Sequence, residues 1–113
     1  MRTTREPAAC RLIESILRDA RHDVTAMLAG VLTDYDYLEA ASAARIPILM
    51  LRCGRDPLVN AGLTRTIAVM RPNPNFTLVD IPPGGHCANL DANDAFRAAL
   101  LVFLARVSPA PER

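Results

Sequence analysis

The sequence predicts an α/β fold in which a parallel β-α-β-α unit follows a group of helices. An apolar run at residues 46–51 lacks alternation, which is typical of a strand covered on both faces. A second strand-like run occupies residues 76–81, and helical periodicity separates the two runs and follows the second. Two strands joined through a helix are expected to pair in parallel, with a right-handed crossover.

Composition limits the chain to one domain and excludes several function classes. The 113 residues are 50% apolar, and the net charge of +1 combines dispersed charges of both signs. Neither a nucleic-acid partner nor an anionic membrane is expected from this balance. No apolar stretch approaches the roughly 20 residues of a membrane span, and no secretory signal is visible. The expected location is the cytoplasm.

Three helices are predicted before the first strand. Apolar residues recur at helical spacing over residues 8–21, with charged residues between them. Asp23 is expected to cap a second helix that extends to Leu32, and an Ala-rich stretch at residues 38–44 predicts a short third helix.

The predicted elements of the second half are separated by clear turn signals. The first strand ends at residues 53–57, which contain a Gly and a Pro, and Asn60 is expected to cap the following helix. The second strand ends abruptly at residues 82–85, Pro-Pro-Gly-Gly. The last helix is predicted to begin near Asp91 or Asn93.

Asp56 and His86 are the candidate catalytic residues, because each follows the end of a predicted parallel strand. Parallel strands place their carboxyl ends at one edge of the sheet, where open α/β sheets bind ligands. A carboxylate that accepts the imidazole Nδ1 proton fixes the tautomer and leaves the other ring nitrogen free to act as a base. The alternative is that Asp56 is a turn-forming residue and that His86, after Gly-Gly, is an ordinary exposed loop residue.

These two segments resemble the acid-bearing and histidine-bearing segments of α/β-hydrolases. The first reads I-P-I-L-M-L-R-C-G-R-D-P and the second reads V-D-I-P-P-G-G-H, while Asp91 and the Phe-containing last helix also fit. The resemblance covers about residues 34–105 and implies a partial α/β-hydrolase fold, with Asp56 as triad acid and His86 as triad base. It divides the chain into a helical lid-like or linker-like segment at 1–44, part of a hydrolase core at 45–107 and a disordered tail at 108–113.

The nucleophile of such a hydrolase is missing from these residues. The family places it on a G-x-S-x-G elbow upstream of the acid, and none of the three serines (Ser15, Ser42 and Ser108) lies between glycines. Cys53 or Cys87 could replace it. A zinc site formed by these two cysteines with His86 is a further alternative, although the chain has neither the C-x-x-C nor the H-x-x-x-H spacing of zinc ligands.

The resemblance therefore implies a truncated hydrolase of ester or related bonds that is inactive alone. A partner chain would supply the missing part of the sheet together with the nucleophile, and the complemented site would act on a small-molecule substrate. No cofactor is implied, since triad hydrolysis requires none. The alternative function is non-catalytic: a degenerate remnant, or a small module that binds other proteins through an exposed sheet edge.

Overall fold

The computed structural model of the chain describes residues 6–109, and 60% of it is helical. These residues form six helices and two strands. In chain order they are α1 (Pro7–Asp19), α2 (His22–Leu32), α3 (Leu38–Ser42), β1 (Ile48–Cys53), α4 (Pro57–Met70), β2 (Phe76–Ile81), α5 (Ala88–Asp91) and α6 (Asn93–Val107).

The expectation of a partial α/β-hydrolase fold is wrong. Residues 6–109 are mainly helical, their sheet has two strands, and no sheet like that of a full α/β-hydrolase is evident among them. The error has a physical origin. Local patterns at residues 46–51 and 76–81 identify two strands and the helix that joins them, but they carry no information about how many other strands the sheet contains.

The two strands are parallel neighbours, and α4 connects them. Their register pairs Ile48 with Phe76 and Cys53 with Ile81, so the carboxyl ends of both strands lie level with each other. One register pair is ionic, because the Arg52 guanidinium donates to both Asp80 carboxylate oxygens, at 2.5 and 3.0 Å. This cross-strand pair keeps two charged residues within strands that otherwise carry mostly apolar side chains.

The buried core of the described residues is small. Its apolar members are Ala9, Ile67, Met70, Ile81 and Ala88. The side chains of β1 are only half-buried along its whole length, because a two-stranded sheet has no further strand to cover its edges. The radius of gyration is 16.5 Å, whereas a compact domain of this length has about 13 Å.

The N-terminal helices contribute little to that core. Ala9 is the single buried residue of α1, and α2 has none. Large apolar side chains on both helices are exposed, and they include Leu12, Ile16, Leu17, Met27, Leu28 and Leu32. None of the helices between residues 6 and 109 is both long and apolar enough to cross a bilayer.

Asn73 fixes the connection before β2 to the end of α3. Its buried Nδ2 group donates to the Ala44 carbonyl at 3.0 Å and to the Ala41 carbonyl at 3.3 Å, while its Oδ1 accepts from the Asn75 N–H at 2.8 Å. This amide therefore sets where the chain enters β2. At the other end, Ser108 and Pro109 follow α6 without helical structure, and residues 110–113 of the expected tail lie outside the described residues.

Candidate functional site

The candidate site lies where two loops leave the sheet side by side. One loop follows β1 and the other follows β2, and the level strand ends bring their backbones together. The Gly54 N–H donates to the Ile81 carbonyl at 3.0 Å, and the Arg55 N–H donates to the Gly84 carbonyl at 2.9 Å. These two bonds extend the ladder of the sheet beyond its last register pair and hold the loops at a fixed separation.

Gly54 is required by this close approach. A Cβ atom at position 54 would lie 2.6 Å from the Pro82 carbonyl oxygen and 2.9 Å from the Pro82 Cα atom. Both contacts are with backbone, so neither loop can relieve them by rotating a side chain. Gly84 is constrained in a similar but milder way, since its Cβ would stand 3.0 Å from side-chain atoms of Ile81 and Ala88.

Asp56 and His86 meet at the rim that the two loops form. The Nδ1 atom of His86 lies 2.8 Å from the Oδ2 atom of Asp56. The Asp56 side chain is 9% exposed, while that of His86 is 52% exposed. The predicted contact between these two side chains is confirmed, and their catalytic role stays a prediction.

The second oxygen of Asp56 caps α4. Oδ1 accepts from the Val59 N–H at 3.3 Å, and Pro57 occupies the first turn of the helix, where its missing N–H costs nothing. The expectation that Asn60 caps this helix is wrong. Asn60 lies in the first turn instead, and its Nδ2 group donates to the Cys53 carbonyl at 2.8 Å.

Asp91 steadies the loop that carries His86. Both of its carboxylate oxygens lie 3.3 Å from the Gly85 N–H, the residue directly before the histidine. From the sequence, Asp91 fits the family pattern and is one candidate start of the last helix, but no role in the loop is predicted for it. Nothing in the sequence alone indicates which loop N–H this carboxylate accepts from.

The contact of His86 with Asp56 determines where the imidazole proton lies. An ionised carboxylate can only accept, so Nδ1 carries the proton and donates it to Oδ2. Nε2 then has its lone pair free, on a ring that is half exposed to solvent. This arrangement can accept a proton from a group that approaches from outside and return it later.

Comparisons with known families, curated proteins and solved structures find no match. The resemblance to α/β-hydrolases therefore remains a prediction from two short segments.

Four backbone amides of the two loops are engaged within the structure. The Gly84 N–H donates to the Ile81 carbonyl at 3.0 Å, and the N–H groups of Gly54, Arg55 and Gly85 donate to the Ile81 carbonyl, the Gly84 carbonyl and the Asp91 carboxylate. None of these four donors is free to stabilise an oxyanion. A hydrolytic site at this rim would need donors other than these four.

Two alternatives suggested by the sequence, Cys53 as the nucleophile and a zinc site, are disfavoured by the structure. Burial raises the pKa of the Cys53 thiol above its ordinary value of 9.0, and the carboxylates of Asp56 and Asp91 act in the same direction. This shift disfavours the thiolate that a nucleophile requires. In residues 6–109 no group of three His, Cys, Asp or Glu side chains is arranged to hold a metal ion, which removes the basis for a zinc site there.

Proposed function

We propose that Asp56 and His86 form the acid–base half of a hydrolytic site for ester or related bonds. The observation that supports this function is the 2.8 Å contact between His86 Nδ1 and the nearly buried Asp56 carboxylate. The His86 side chain itself is 52% exposed. A turn alone does not require this arrangement, in which one oxygen of the Asp56 carboxylate caps α4 and the other contacts the imidazole.

Each residue has a defined role in the proposed reaction. His86 Nε2 takes the proton of the nucleophile as the nucleophile attacks the ester carbonyl, and it then returns a proton to the departing alcohol. Asp56 accepts a hydrogen bond from the Nδ1–H group and so keeps the ring oriented. It also stabilises the imidazolium that forms between the two steps. Gly54 and Asp91 act as positioning residues because they fix the two loops.

The nucleophile and the oxyanion donors are proposed to come from a partner polypeptide. The half-buried side chains of β1 and the exposed apolar residues of α1 and α2 provide a surface for it. Such a partner would cover an edge of the two-stranded sheet, which is otherwise left with unpaired backbone groups. The substrate would be a small molecule that reaches the exposed imidazole.

Complementation tests this function. The chain is co-expressed with the polypeptide that is encoded directly upstream of it, and hydrolysis of an alkyl ester, ethyl butyrate, is compared with that of each polypeptide alone. Activity should appear only in the mixture, and His86→Gln should lower it by about 100-fold or more. His22→Gln is the matched control, because His22 is exposed at the start of α2 and should leave activity unchanged.

A second function is favoured by the exposed apolar surface: a module that binds other proteins without catalysis. The two functions differ in what position 86 does. If a complex with the upstream polypeptide forms equally well with His86→Gln and neither complex hydrolyses the ester, the chain is a binding module and the hydrolytic proposal fails.

A further inference from the structure

The imidazole of His86 is oriented by Asp56, but no serine or cysteine of the described residues is hydrogen-bonded to its Nε2 atom. Nδ1 is held by Asp56 at 2.8 Å, and the described residues place no hydrogen-bond partner on Nε2. The three described serines and cysteines closest in sequence to the pair are Ser42, Cys53 and Cys87, and none of them is hydrogen-bonded to this ring. The lone pair of Nε2 is therefore not engaged by the described residues, on a side chain that is 52% exposed.

We propose that His86 is itself a nucleophile, and that the chain alone hydrolyses small activated esters through an acyl-imidazole. This activity goes beyond the proposed function, since it requires no partner and assigns Nε2 a covalent role. It uses the same contact between His86 and Asp56. The two proposals can nevertheless fail separately, because one concerns a mixture and the other the isolated chain.

The reaction balances with groups that the structure contains and one water molecule. The Nε2 lone pair attacks the ester carbonyl carbon, the bond from that carbon to the leaving oxygen breaks, and the phenolate leaves with the electron pair. The Nδ1 proton passes to Asp56 Oδ2, so a neutral acyl-imidazole remains. Water then adds to the acyl carbon and gives one proton to solvent, which balances the phenolate released earlier. The carbon–nitrogen bond breaks with its electron pair returning to Nε2, Nδ1 regains its proton from Asp56, and the carboxylic acid leaves.

The engaged loop amides favour esters with a good leaving group. Because the N–H groups of Gly54, Arg55, Gly84 and Gly85 all donate within the protein, these four give the developing oxyanion no stabilisation. The proposed substrate is therefore an ester with a weakly basic leaving group, such as a phenolate. Aryl esters such as p-nitrophenyl acetate meet this condition, whereas alkyl esters do not.

The test uses the isolated 113-residue chain and p-nitrophenyl acetate. Release of p-nitrophenolate is followed by stopped flow, and samples quenched in acid are mapped by mass spectrometry for the acetylated residue. We expect acetyl on His86, with turnover at least about tenfold faster than that of the His86→Gln chain. The His22→Gln chain should match the wild type within about twofold.

Two outcomes overturn the proposal. One is acetylation confined to a cysteine or to His22, and the other is equal turnover by the wild-type and His86→Gln chains. A measurement without substitutions adds an independent check, since diethyl pyrocarbonate should modify His86 of the wild-type chain faster than His22. Equal rates of modification at the two histidines would also contradict the proposal that Asp56 makes His86 Nε2 a better nucleophile than an exposed histidine.

Discussion

The Pro82 carbonyl oxygen lies 2.6 Å from the point where a Cβ atom on residue 54 would stand, so the glycine there is the reason the two site loops can touch. This contact joins the loop that carries Asp56 to the loop that carries His86. It therefore links the packing of the backbone to the geometry of the candidate catalytic pair.

Gly54→Ala should force the two loops apart and destabilise the chain by about 1–3 kcal/mol, the usual range for an overpacked site. Urea denaturation measures the change in the free energy of unfolding. Gly62→Ala is the matched control, because nothing lies within 4 Å of a Cβ at that helical position. It should stabilise α4 by about 0.5–1 kcal/mol, and a larger loss from Gly62→Ala than from Gly54→Ala would contradict the close-approach argument.

Asp56→Asn should separate the two roles of this side chain. The amide oxygen can still accept from the Val59 N–H and cap α4. The amide nitrogen then faces His86 Nδ1 and can only donate to it, so the ring must carry its proton on Nε2. Nitrogen NMR of the histidine ring should show this change of tautomer, with unfolding free energy nearly unchanged.

Asp56→Ala provides the comparison for that variant. It removes the helix cap as well as the histidine contact and should cost about 0.5–2 kcal/mol of stability. If Asp56→Asn and Asp56→Ala lose the same stability, the Oδ1 contact does not act as a cap. If Asp56→Asn leaves the Nδ1 proton in place, the orientation of the pair differs from the one described.

Asn73→Asp should destabilise the chain by about 1–3 kcal/mol, because a carboxylate cannot donate to the two carbonyls that the Nδ2 group satisfies. Asn93→Asp is the matched control, because it also removes an Nδ2 donor, to the Asn89 carbonyl at 2.9 Å, but at an exposed position, where the change should stay within about 0.5 kcal/mol. Thermal and urea unfolding of both variants decide the prediction. Equal effects would mean that the Asn73 amide does not anchor the entry to β2.

The hydrogen bond from Arg52 holds the pKa of Asp80 below its ordinary value of 3.8. A lowered pKa in the folded state means that the charged carboxylate stabilises the fold. This contribution is fully present above the unfolded pKa and is lost as pH falls through the folded pKa. Unfolding free energy measured across the acid range should therefore fall more steeply for the wild type than for Asp80→Asn.

Arg52→Gln serves as the second arm of that experiment. Removing the guanidinium should flatten the acid dependence to the same extent, since its hydrogen bond is the largest cause of the shift. The difference between wild type and either variant should also shrink at high salt, because both side chains are accessible to solvent. An acid dependence that is identical in all three chains would contradict the prediction.

The elements around the site were predictable because their signals are local. The strand at residues 76–81 is found with the predicted bounds, since Pro72 and Pro74 precede it and Pro82 follows it. The first strand continues past Leu51 to Cys53, because Arg52 gains a cross-strand partner in Asp80 that the sequence does not reveal. Contacts of this kind depend on register and cannot be identified from either segment alone.

The helix starts show what the sequence left ambiguous. Asn60 was predicted as a cap because amide side chains favour that position, yet Asp56 followed by Pro57 is the stronger signal and is the one used. Asp23 was predicted to cap α2, but the cap residue is Arg21, and the Asp23 carboxylate pairs with its guanidinium at 2.7 Å. At α2 no side chain caps the helix, because the carboxylate that favoured a start at Asp23 is engaged with Arg21 instead.

The contact of Asp56 with His86 was predictable for a different reason. It follows from topology, since parallel strands end at one edge, and it needs no knowledge of the rest of the sheet. The number of strands in the sheet was not predictable, because the sequence of residues 46–81 does not indicate which other segments, if any, pair with these two strands.

The start of α4 has a consequence for how the site responds to heat. The carboxylate that orients the imidazole also closes the first helical turn, so fraying of that turn and release of the ring are one event. Helix ends open more readily than paired strands. On warming, the chain should therefore lose its oriented histidine while β1 and β2 are still joined, and proton exchange at the ring should accelerate below the temperature at which the sheet separates.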